Sequence, residues 1–434
     1  MLEQAKEILE KYVSGKRAAA FVSGGGDSMC LLHLCAETVP HGFFVVTVDH
    51  GIRPEAADEV RFVRDECARL GVGCLAYKAD VPALAQAAGD SLETAGRKYR
   101  RELMRALIDG GQADVILTAH HADDNAETVL MHALRGAGVG GLIGMRVRDG
   151  YIVRPLIGTR RAEIAAYNAA FSVPYVTDPS NADSRYTRNF IRNEVMPLLN
   201  SRFDAAGALN RLAAAAAADE AYLKAQLNAD CIRAEDGGIL LTDGAFLTDA
   251  LAPRYVFEAM RRLGADDCDR NAAARAIDLY RGRTGRRAPM TCGIEAVRDP
   301  GGVALYRPAP AEYRETPFTG PGLYPAFGLE VRPCPPVPVK GRLRFDPNAV
   351  PDGAVLRYRR EGDVFRPFGS GRKKLKEYLI DKKIPVRIRD KLPLLCYNEE
   401  VLVVCGLEIS DRVRLRDGGK AAEIVFTGEI PWKS

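Results

Sequence analysis

The chain has 434 residues, and since single domains usually span roughly 100–200 residues, two or three domains are expected. It carries 61 basic and 57 acidic residues for a net charge of +4, with 47% hydrophobic and 27% charged residues, which excludes disordered and fibrous classes. No apolar stretch approaches the roughly 18 residues of a membrane span, and the amino terminus lacks a signal-peptide core. We therefore expect a cytoplasmic protein with no membrane partner.

The cysteine pattern excludes two further classes. The ten cysteines are scattered, with no CxxC pair anywhere, which argues against a disulfide framework and a zinc ribbon. Most are expected to be small, buried, apolar side chains.

The first half of the chain alternates strands and helices. Strands are predicted at residues 18–22, 43–48, 73–77 and 115–117, and the last leads into a helix over 124–134. Such alternation indicates βαβ units and a parallel sheet with helices on both faces, with ligands at the carboxyl ends of the strands. The predicted fold class is α/β, a doubly wound parallel sheet followed by two smaller α+β domains.

The second half is divided by composition. An alanine-rich helix after residue 201 either connects to a second domain or packs on the first, and periodicity does not decide between them. Helices are predicted at 254–263 and 271–280, with a hairpin around 299–302. Residues 308–338 hold nine of the 25 prolines, a density that disfavours helices and central strands and so predicts a boundary. The predicted domains are 1–200, 201–340 (including this linker) and 341–434.

A glycine-rich loop follows the first predicted strand. Its residues are Ser23, Gly24, Gly25, Gly26, Asp27 and Ser28. Glycines there allow backbone N–H groups to approach a phosphate, and the following helix start adds partial positive charge. The Asp27 carboxylate would repel a polyphosphate unless a divalent cation lay between them, so the loop implies Mg²⁺. A purely structural turn is an equal alternative for the loop by itself, and the Walker lysine is absent.

Other polar residues of the first half are also candidates for the site. Asp49 and His50 follow the second strand, at the edge where a nucleotide would lie. The alternative is that Asp49 caps a helix and His50 is an ordinary surface residue. Arg97 and Arg100 share adjacent faces of a helix and form either a solvated face or an anion clamp. All six histidines lie within the first 132 residues, and whether any of them acts chemically stays open.

A pair of carboxylates follows the fourth predicted strand. Asp124 and Glu127 are three residues apart on a helix, so both side chains project to one side, near the glycine-rich loop if the sheet is doubly wound. An ammonium site is a simpler interpretation than a metal site, because no third ligand or His-x-x-x-His pair is nearby.

Taken together, these motifs resemble those of known enzyme families. The SGGGDS loop resembles that of the N-type ATP pyrophosphatases. With VDHGIRPEAADE, ETAGRKYRRE, AHHADDNAET, RPLIGTRRAEI and DPSNADSRYTRNFIRNEVMPLL it resembles the tRNA(Ile)-lysidine synthetase family, and so do LRYRREGDVFRPFG, KKLKEYLIDKKIPVRIRDKLPLL and VVCGLEI near the carboxyl terminus. Roughly residues 15–200 and 355–410 are covered. Two positions depart from the family pattern, Arg101 and the third glycine, Gly26.

The resemblance implies ATP-dependent ligation of free L-lysine to the wobble cytidine of tRNA(Ile) with a CAU anticodon, through an adenylated tRNA. Residues 23–28, with Asp49 and His50, would bind ATP, and Asp27 would hold Mg²⁺. Asp124 and Glu127 would bind the lysine ammonium group, and Arg97 and Arg100 would stabilise charge on the α-phosphate or fix the RNA. Arg185, Arg188 and Arg192 form a helically spaced stripe suited to tRNA phosphates.

A local charge excess lies near the carboxyl terminus. Residues 357–391 contain thirteen basic and five acidic residues, so this segment is +8 and the rest of the chain is −4. A solvated face is the ordinary interpretation of a charge run. Interleaved aromatics, Tyr358, Phe365, Phe368 and Tyr378, favour RNA instead. The predicted tRNA-binding residues here are Arg372, Lys373, Lys374, Lys376, Lys382 and Lys383.

Other activities remain as alternatives. A tRNA 2-thiolase would need a sulfur-carrying or cluster-binding cysteine pair, which the cysteine spacing does not provide. A small-molecule synthetase would leave the +8 segment unexplained. A non-catalytic RNA-binding protein would not need Asp27, Asp124 and Glu127. The sequence leaves the oligomeric state open, with a homodimer among the alternatives.

Overall fold

A computed structural model describes residues 1–52, 56–177, 187–235, 237–265, 270–308, 315–339, 341–415 and 419–428. The chain forms two compact units, residues 1–222 and 223–434. Among the helices that it describes, none is long and apolar enough to cross a membrane.

The first unit is built on one sheet. Its strands are β1 (Ala18–Phe21), β2 (Phe43–Asp49), β3 (Cys74–Lys78), β4 (Val115–Leu117), β5 (Arg148–Asp149) and β6 (Ile152–Val153). The strand order is β3-β2-β1-β4-β6-β5, and the pairings are parallel except between β5 and β6. The predicted doubly wound parallel sheet is therefore confirmed, with the four predicted strands in place.

Helices cover this sheet. They are α1 (Glu3–Val13), α2 (Gly26–Thr38), α3 (Ala56–Leu70), α4 (Val81–Ala88), α5 (Leu92–Asp109), α6 (Ala122–Leu134), α7 (Val139–Leu142), α8 (Arg161–Ala170), α9 (Thr187–Phe190), α10 (Met196–Asn200) and α11 (Ala205–Ala225). A π-helical segment, Ile191–Val195, joins α9 to α10. The alternation of side chains along β1 feeds two cores, since Ala18 and Ala20 pack on one face and Ala19 on the other.

The order of the strands places a ligand crevice. The chain runs from β1 outward through β2 and β3, then returns to form β4 on the other side of β1. Ligands in such sheets bind where the strand order reverses, outside the carboxyl ends of the strands. Here that point lies between β1, which leads into the glycine-rich loop, and β4, which leads into α6.

The alanine-rich helix α11 packs at its start on the first unit. Ala206 lies in a core cluster with Ala126 of α6, and Asn210 donates hydrogen bonds to the Ala122 carbonyl oxygen at 2.8 Å. The amino-terminal half of α11 therefore packs on α6, as one of the two alternatives expected. The small alanine side chains allow this close contact between the helices.

The second unit begins with an antiparallel sheet. Its strands are β7 (Ile232–Glu235), β8 (Gly238–Thr242), β9 (Arg287–Pro289), β10 (Glu295–Asp299) and β11 (Gly302–Tyr306), in the order β7-β8-β11-β10-β9. Helices α12 (Ala252–Arg262) and α13 (Arg270–Arg281) pack on one face. The predicted hairpin at 299–302 is the β10–β11 connection.

Two further sheets follow. The strands are β12 (Glu315–Pro317), β13 (Gly322–Tyr324), β14 (Leu329–Cys334), β15 (Leu343–Phe345), β16 (Val355–Arg357), β17 (Val364–Phe365), β18 (Lys373–Lys374), β19 (Leu394–Tyr397), β20 (Glu400–Val404), β21 (Glu408–Ile409) and β22 (Ala421–Phe426). The sheets share one core, and helices α14 (Leu375–Asp381) and α15 (Val386–Arg389) lie beside a second core.

The proline-rich stretch differs from the predicted linker. Its strands β12 and β14 pair with β16 and β22, which lie beyond residue 340, and β14 has neighbours on both sides. Pro333 is tolerated because it lies near the end of β14. Residues 315–334 therefore belong to the carboxyl-terminal sheets.

Candidate active site

The glycine-rich loop leaves β1 in an extended arc and enters α2 at Gly26. Gly24 has φ +87°, a left-handed conformation that L side chains adopt only with strain. The Ser28 hydroxyl donates to the Gly25 carbonyl oxygen at 2.9 Å and accepts from the Ser23 N–H at 3.2 Å. The start of α2 adds partial positive charge at the same place, so the loop has the form of an anion cradle.

The two predicted carboxylates lie together on α6 and are buried. Asp124 is 8% exposed and Glu127 3% exposed. The Arg192 Nε atom lies 2.7 Å from Glu127 Oε1, and Arg192 also pairs with Asp124. Arg188 adds contacts of 3.3 Å to each carboxylate. Two buried carboxylates are thus neutralised by two guanidinium groups.

This pairing gives Arg188 and Arg192 a position that the predicted tRNA stripe does not describe. Both side chains turn toward α6 and are only about a quarter exposed, at 23% and 24%. Their contact with tRNA stays a prediction. Arg185, the third member of the stripe, lies outside the described residues.

His121 joins the carboxylate pair to the glycine-rich loop. Its Nε2 atom lies 3.5 Å from Asp27 Oδ2 and 3.4 Å from Asp124 Oδ2. Its Nδ1 atom accepts a 3.3 Å hydrogen bond from the Asp124 backbone N–H, and the Asp124 carboxylate accepts from the His121 N–H, which caps α6. The capping geometry fixes the imidazole between Asp27 and Asp124.

The carboxylates and cations around this contact shift the pKa values of His121 and Asp124 in opposite directions. Burial opposes charge on His121, but the carboxylates of Asp27, Asp124 and Asp123 outweigh it and raise the pKa of the imidazole. Burial likewise opposes charge on Asp124, yet His121, Arg192 and Arg188 lower the pKa of that carboxyl below its usual value. Asp124 is therefore suited to holding a cation rather than to accepting a proton.

The other predicted ATP-site residues lie at the neighbouring strand end. Asp49 ends β2, and its Oδ1 atom accepts from the Gly51 N–H at 2.8 Å. Burial and the charge of Arg100 lower the pKa of His50. Arg97 is exposed and pairs with Glu93 at 3.3 Å within α5. Arg100 therefore lies near this edge of the site, whereas Arg97 has a carboxylate partner on its own helix.

His120, next to His121, remains neutral. Its Nδ1 atom lies 3.0 Å from the Thr118 hydroxyl, and burial together with the charges of nearby arginines lowers its pKa to about 4, against the effect of Asp124. His120 therefore keeps an uncharged ring at neutral pH. The sequence could not distinguish the two adjacent histidines, because only the cap geometry separates them.

The donors fit a magnesium ion held together with ATP. Asp27 offers one carboxylate beside the phosphate cradle, and Mg²⁺ commonly takes one or two carboxylates plus phosphate oxygens and water. Among the described residues no group of three His, Cys, Asp or Glu side chains could hold a metal ion without such help. Asp27 is thus compatible with a nucleotide-borne ion.

The cysteines near the loop are buried. Cys30 and Cys35 lie inside α2, and burial together with the charge of Asp27 raises the pKa of Cys30 to about 12. A thiol in this state is a poor nucleophile, which argues against sulfur transfer from this position.

The basic carboxyl-terminal surface divides into paired and unpaired groups. Lys373 pairs with Asp381 at 2.9 Å, and Lys382 pairs with Glu408 at 2.8 Å. The remaining members of the predicted set are exposed and, within the described ranges, have no carboxylate partner: Arg372, Lys374, Lys376 and Lys383.

Two of the four aromatic residues that were expected to favour RNA binding are buried, so for them the prediction was wrong. Phe365 and Tyr378 are core residues in edge-to-face contact, and the Tyr378 hydroxyl donates to Glu408 at 2.7 Å. Aromatic spacing does not distinguish packing against a core from stacking on a base. Phe368 is 59% exposed and is available for stacking.

Comparison with known proteins places the chain. A model of the PP-loop domain matches residues 1–199, and a model of the TilS substrate C-terminal domain matches residues 354–426. The tRNA(Ile)-lysidine synthase of Clostridium acetobutylicum is 30% identical over 433 residues, covering 93% of this chain and 94% of that one. The enzyme of the same name from Pseudomonas aeruginosa is 34% identical over 432 residues, covering 92% and 90%.

A solved U34-tRNA thiolase from Methanococcus maripaludis is also similar, at 17% identity and a TM-score of 0.40, covering 49% of this chain and 78% of that chain. This likeness is too low to indicate an activity. The two synthases, by contrast, align along nearly the whole chain, and the two family models match at its two ends. The chain belongs to the tRNA(Ile)-lysidine synthase family.

Proposed function

We propose that this enzyme uses ATP to attach free lysine to the wobble cytidine of tRNA(Ile), forming lysidine. The observation that carries the proposal is the contact of His121 with both Asp27 and Asp124. It brings a phosphate cradle and a cation-binding carboxylate pair to one point of the sheet edge. Such an arrangement suits a reaction between a nucleotide-activated group and an amine.

The first step activates the base. The cytidine O2 atom attacks the α-phosphorus of ATP, the bond to the β-phosphate breaks, and pyrophosphate leaves. Loop N–H groups and the start of α2 stabilise the phosphate charge. Asp27 would hold Mg²⁺ on the triphosphate, where the ion supplies neutralisation of phosphate charge. Arg100, whose charge lowers the pKa of His50, is proposed to assist.

The second step forms the carbon–nitrogen bond. The lysine ε-ammonium group first gives one proton to solvent water, the neutral amine then attacks C2 of the adenylated base, the C2–O2 bond breaks as AMP leaves with O2, and the new C–N nitrogen releases a second proton to water. Asp124 and Glu127 bind the incoming ammonium group in this proposal. Their support is that both carboxylates already hold cationic guanidinium groups within hydrogen-bonding distance, so the pocket is built for positive charge.

Binding of lysine then requires an exchange of cations. Arg188 and Arg192 would have to yield part of the carboxylate surface to the ammonium group. Because one lysine brings one charge and the two arginines bring two, the exchange changes the local charge unless an anion approaches. A tRNA phosphate or the adenylate would supply that anion, which keeps the predicted tRNA role of Arg188 and Arg192 compatible with their present contacts.

The carboxyl-terminal surface is proposed to hold the tRNA. Its unpaired Arg372, Lys374, Lys376 and Lys383 offer positive charge without the cost of breaking an ion pair. Lys373 and Lys382 would first have to leave Asp381 and Glu408. The four unpaired residues are therefore expected to carry more of the binding.

One assay tests the proposal. The protein is incubated with ATP, Mg²⁺, labelled lysine and total bacterial tRNA, and transfer of label into tRNA is followed with the formation of AMP and pyrophosphate. We expect label only when ATP is present. Incorporation of sulfur or of a different amino acid, with none of lysine, would show the proposal to be wrong and would favour a thiolase or another ligase.

A further inference from the structure

The segment from Asn168 to Val176 donates hydrogen bonds to the glycine-rich loop. The Asn168 Nδ2 atom, at the end of α8, donates to the Gly26 carbonyl oxygen at 3.0 Å. The Val176 N–H donates to the Gly24 carbonyl oxygen at 2.9 Å. Two carbonyls of the loop are thus fixed by residues about 150 positions further along the chain.

The planarity of the peptide bond gives these contacts a consequence. In a trans peptide the N–H points opposite to the C=O of the same unit. The Gly24 carbonyl shares its unit with the Gly25 N–H, and the Gly26 carbonyl shares its unit with the Asp27 N–H. The Gly25 N–H therefore points away from Val176, and the Asp27 N–H points away from Asn168.

The peptide between them is held differently. The Gly25 carbonyl accepts from the Ser28 hydroxyl at 2.9 Å and from the Met29 N–H at 2.9 Å, both within the start of α2. Local bonds thus fix this peptide. The Gly26 carbonyl also lies in the first turn of α2, and Asn168 adds a hydrogen bond to it from outside the helix, whereas the Gly24 carbonyl is held by the Val176 N–H.

Asn168 is well placed to act as a rigid support. Its side chain is 5% exposed, and within the described chain its Oδ1 atom is buried without a hydrogen-bond partner. Reversing the amide would set Oδ1 against the Gly26 carbonyl oxygen, so the orientation is determined by the loop. Among the described residues, the side-chain hydrogen bond of this buried amide is made to the loop.

Gly26 is the loop residue that faces Asn168 and Tyr175. A Cβ atom at this position would lie 3.5 Å from Asn168 Nδ2 and 3.6 Å from the Tyr175 ring. That is ordinary contact, so a methyl group fits, and Asn168 and Tyr175 are the side chains nearest to it. The third glycine of the loop, a departure from the family pattern, is thereby matched to Asn168 and Tyr175 in this chain.

Helix α8 also contacts the first turn of α6. At its start the Arg161 N–H donates to Asp123 Oδ2 at 2.8 Å, and Arg160 lies 3.4 Å from the same carboxylate. Asp123 is the neighbour of Asp124 on α6. One helix therefore bears on α6 at its amino end and on the glycine-rich loop at its carboxyl end.

We propose that Asn168 is a positioning residue for ATP cleavage, which holds the Gly26–Asp27 peptide so that the Asp27 N–H faces the phosphates. The inference rests on the proposed use of ATP by the loop. Asn168 does not touch the nucleotide in this assignment. It acts through the backbone of the loop.

The test compares full-length variants of two adjacent residues on α8. Asn168→Ala removes the hydrogen bond to the loop. Tyr167→Phe is the control, because it removes a buried hydrogen bond to Glu37 of 3.2 Å on the same helix without touching the loop. Pyrophosphate release is measured with tRNA and lysine, giving kcat and KM for ATP, and binding of a non-hydrolysable ATP analogue is measured without tRNA.

We expect Asn168→Ala to lower kcat/KM for ATP about 3- to 10-fold, the range for loss of one hydrogen bond, and Tyr167→Phe to change it less than about twofold. Asn168→Asp should be at least as impaired, since a carboxylate oxygen would face the Gly26 carbonyl oxygen. Equal effects of Asn168→Ala and Tyr167→Phe, at matched thermal stability, would overturn the proposal. So would an Asn168→Asp variant with wild-type kinetics.

The two readouts separate this inference from the proposed function. If the wild-type protein binds the ATP analogue but transfers no lysine, the proposed function fails, while the binding comparison of the variants still tests Asn168. If lysine transfer is normal and the variants bind and cleave ATP like the wild type, only the inference about Asn168 fails.

Discussion

At the scale of single residues, His121 is the side chain that makes one site out of two motifs. Asp27 comes from the loop after β1 and Asp124 from the helix after β4, and both lie within 3.5 Å of the same imidazole nitrogen. Glu127 lies one helical turn further along α6, so the carboxylate pair begins next to the phosphate-binding loop. Each carboxylate can therefore be tested against a different substrate.

Glu127→Gln should separate lysine from ATP. The substitution keeps the shape of the side chain but removes its charge, so the ammonium group loses a charge-assisted hydrogen bond. We expect KM for lysine to rise about 10- to 100-fold, while pyrophosphate release from ATP and tRNA is nearly unchanged.

Asp27→Ala should instead abolish AMP and pyrophosphate formation. Steady-state kinetics with each substrate varied in turn measure both, and equal ATP turnover by Asp27→Ala would contradict the magnesium role.

The titration of His121 predicts a pH dependence of stability. Its pKa is raised in the folded state, so its contribution is fully present below the unfolded value of about 6.5. It is lost as the pH rises through the higher folded value. His121→Asn keeps a helix-capping side chain without the titrating group. We expect the wild type to exceed this variant in thermal stability at about pH 6 and to lose that margin at about pH 9, measured by calorimetry.

A margin that is constant across this pH range would show that the His121 contribution comes from packing alone. His33 offers a comparison, because it also contacts a buried carboxylate, Glu66 at 2.7 Å, but lies on the far part of α2 from the loop. Its substitution by asparagine should alter stability without altering lysine transfer.

At the scale of elements, the sequence predicted what local patterns determine and missed what depends on distant segments. The strands of the first sheet and the loop at Ser23–Ser28 follow from apolar runs and glycine placement. The pairing of Arg192 with Glu127 joins residues 65 positions apart, and it depends on how α9, the π-helical segment and α10 return toward α6. Helical spacing showed that Arg188 and Arg192 share a face but not what that face contacts.

The same limit applies to the basic segment near the carboxyl terminus. Arg387 was counted with its positive charge, yet it is 5% exposed and pairs with Asp299 of β10 and Glu235 of β7. Arg357 is likewise buried against Asp363 at 2.6 Å. These guanidinium groups hold α15 and β16 in place, so they are not available to RNA.

Arg387→Ala should destabilise the second unit strongly. It would leave Asp299, which is 2% exposed, as a buried charge without its guanidinium partner, at a cost of about 3–5 kcal/mol. The matched control is Arg359→Ala, which leaves Asp390, whose side chain is 51% exposed, open to solvation by water, and should cost about 1 kcal/mol or less. Hydrogen exchange should show lost protection in β7, β8 and α15 for Arg387→Ala only.

A double variant completes this test. Replacing Arg387 by Met and Asp299 by Leu removes both charges, and a buried ion pair can often be exchanged for apolar groups at little cost. We expect protection in β7, β8 and α15 to return toward the wild-type level. If the double variant is as unstable as Arg387→Ala, then the ion pair is not the source of the loss.

At the scale of the whole molecule, the net charge of +4 conceals an uneven distribution. The segment from 357 to 391 is +8 and the rest is −4, and the structure shows which charges of that segment face solvent. Arg372, Lys374, Lys376 and Lys383 of the predicted tRNA-binding set are exposed and have no carboxylate partner among the described residues, and Arg366 and Lys391 of the same segment are exposed as well. Binding of a polyanion releases its counterions, so each phosphate contact contributes to the salt dependence of affinity.

The salt dependence of tRNA binding is therefore the quantity to measure. Lys374→Gln combined with Lys376→Gln removes two exposed charges from this surface, and Lys11→Gln combined with Arg61→Gln removes two from exposed positions on α1 and α3. Both variants have the same net charge. We expect the first to reduce the slope of log affinity against log salt by about two and the second to leave it nearly unchanged. Equal slopes for the two variants would mean that tRNA responds to the overall charge of the protein and not to this surface.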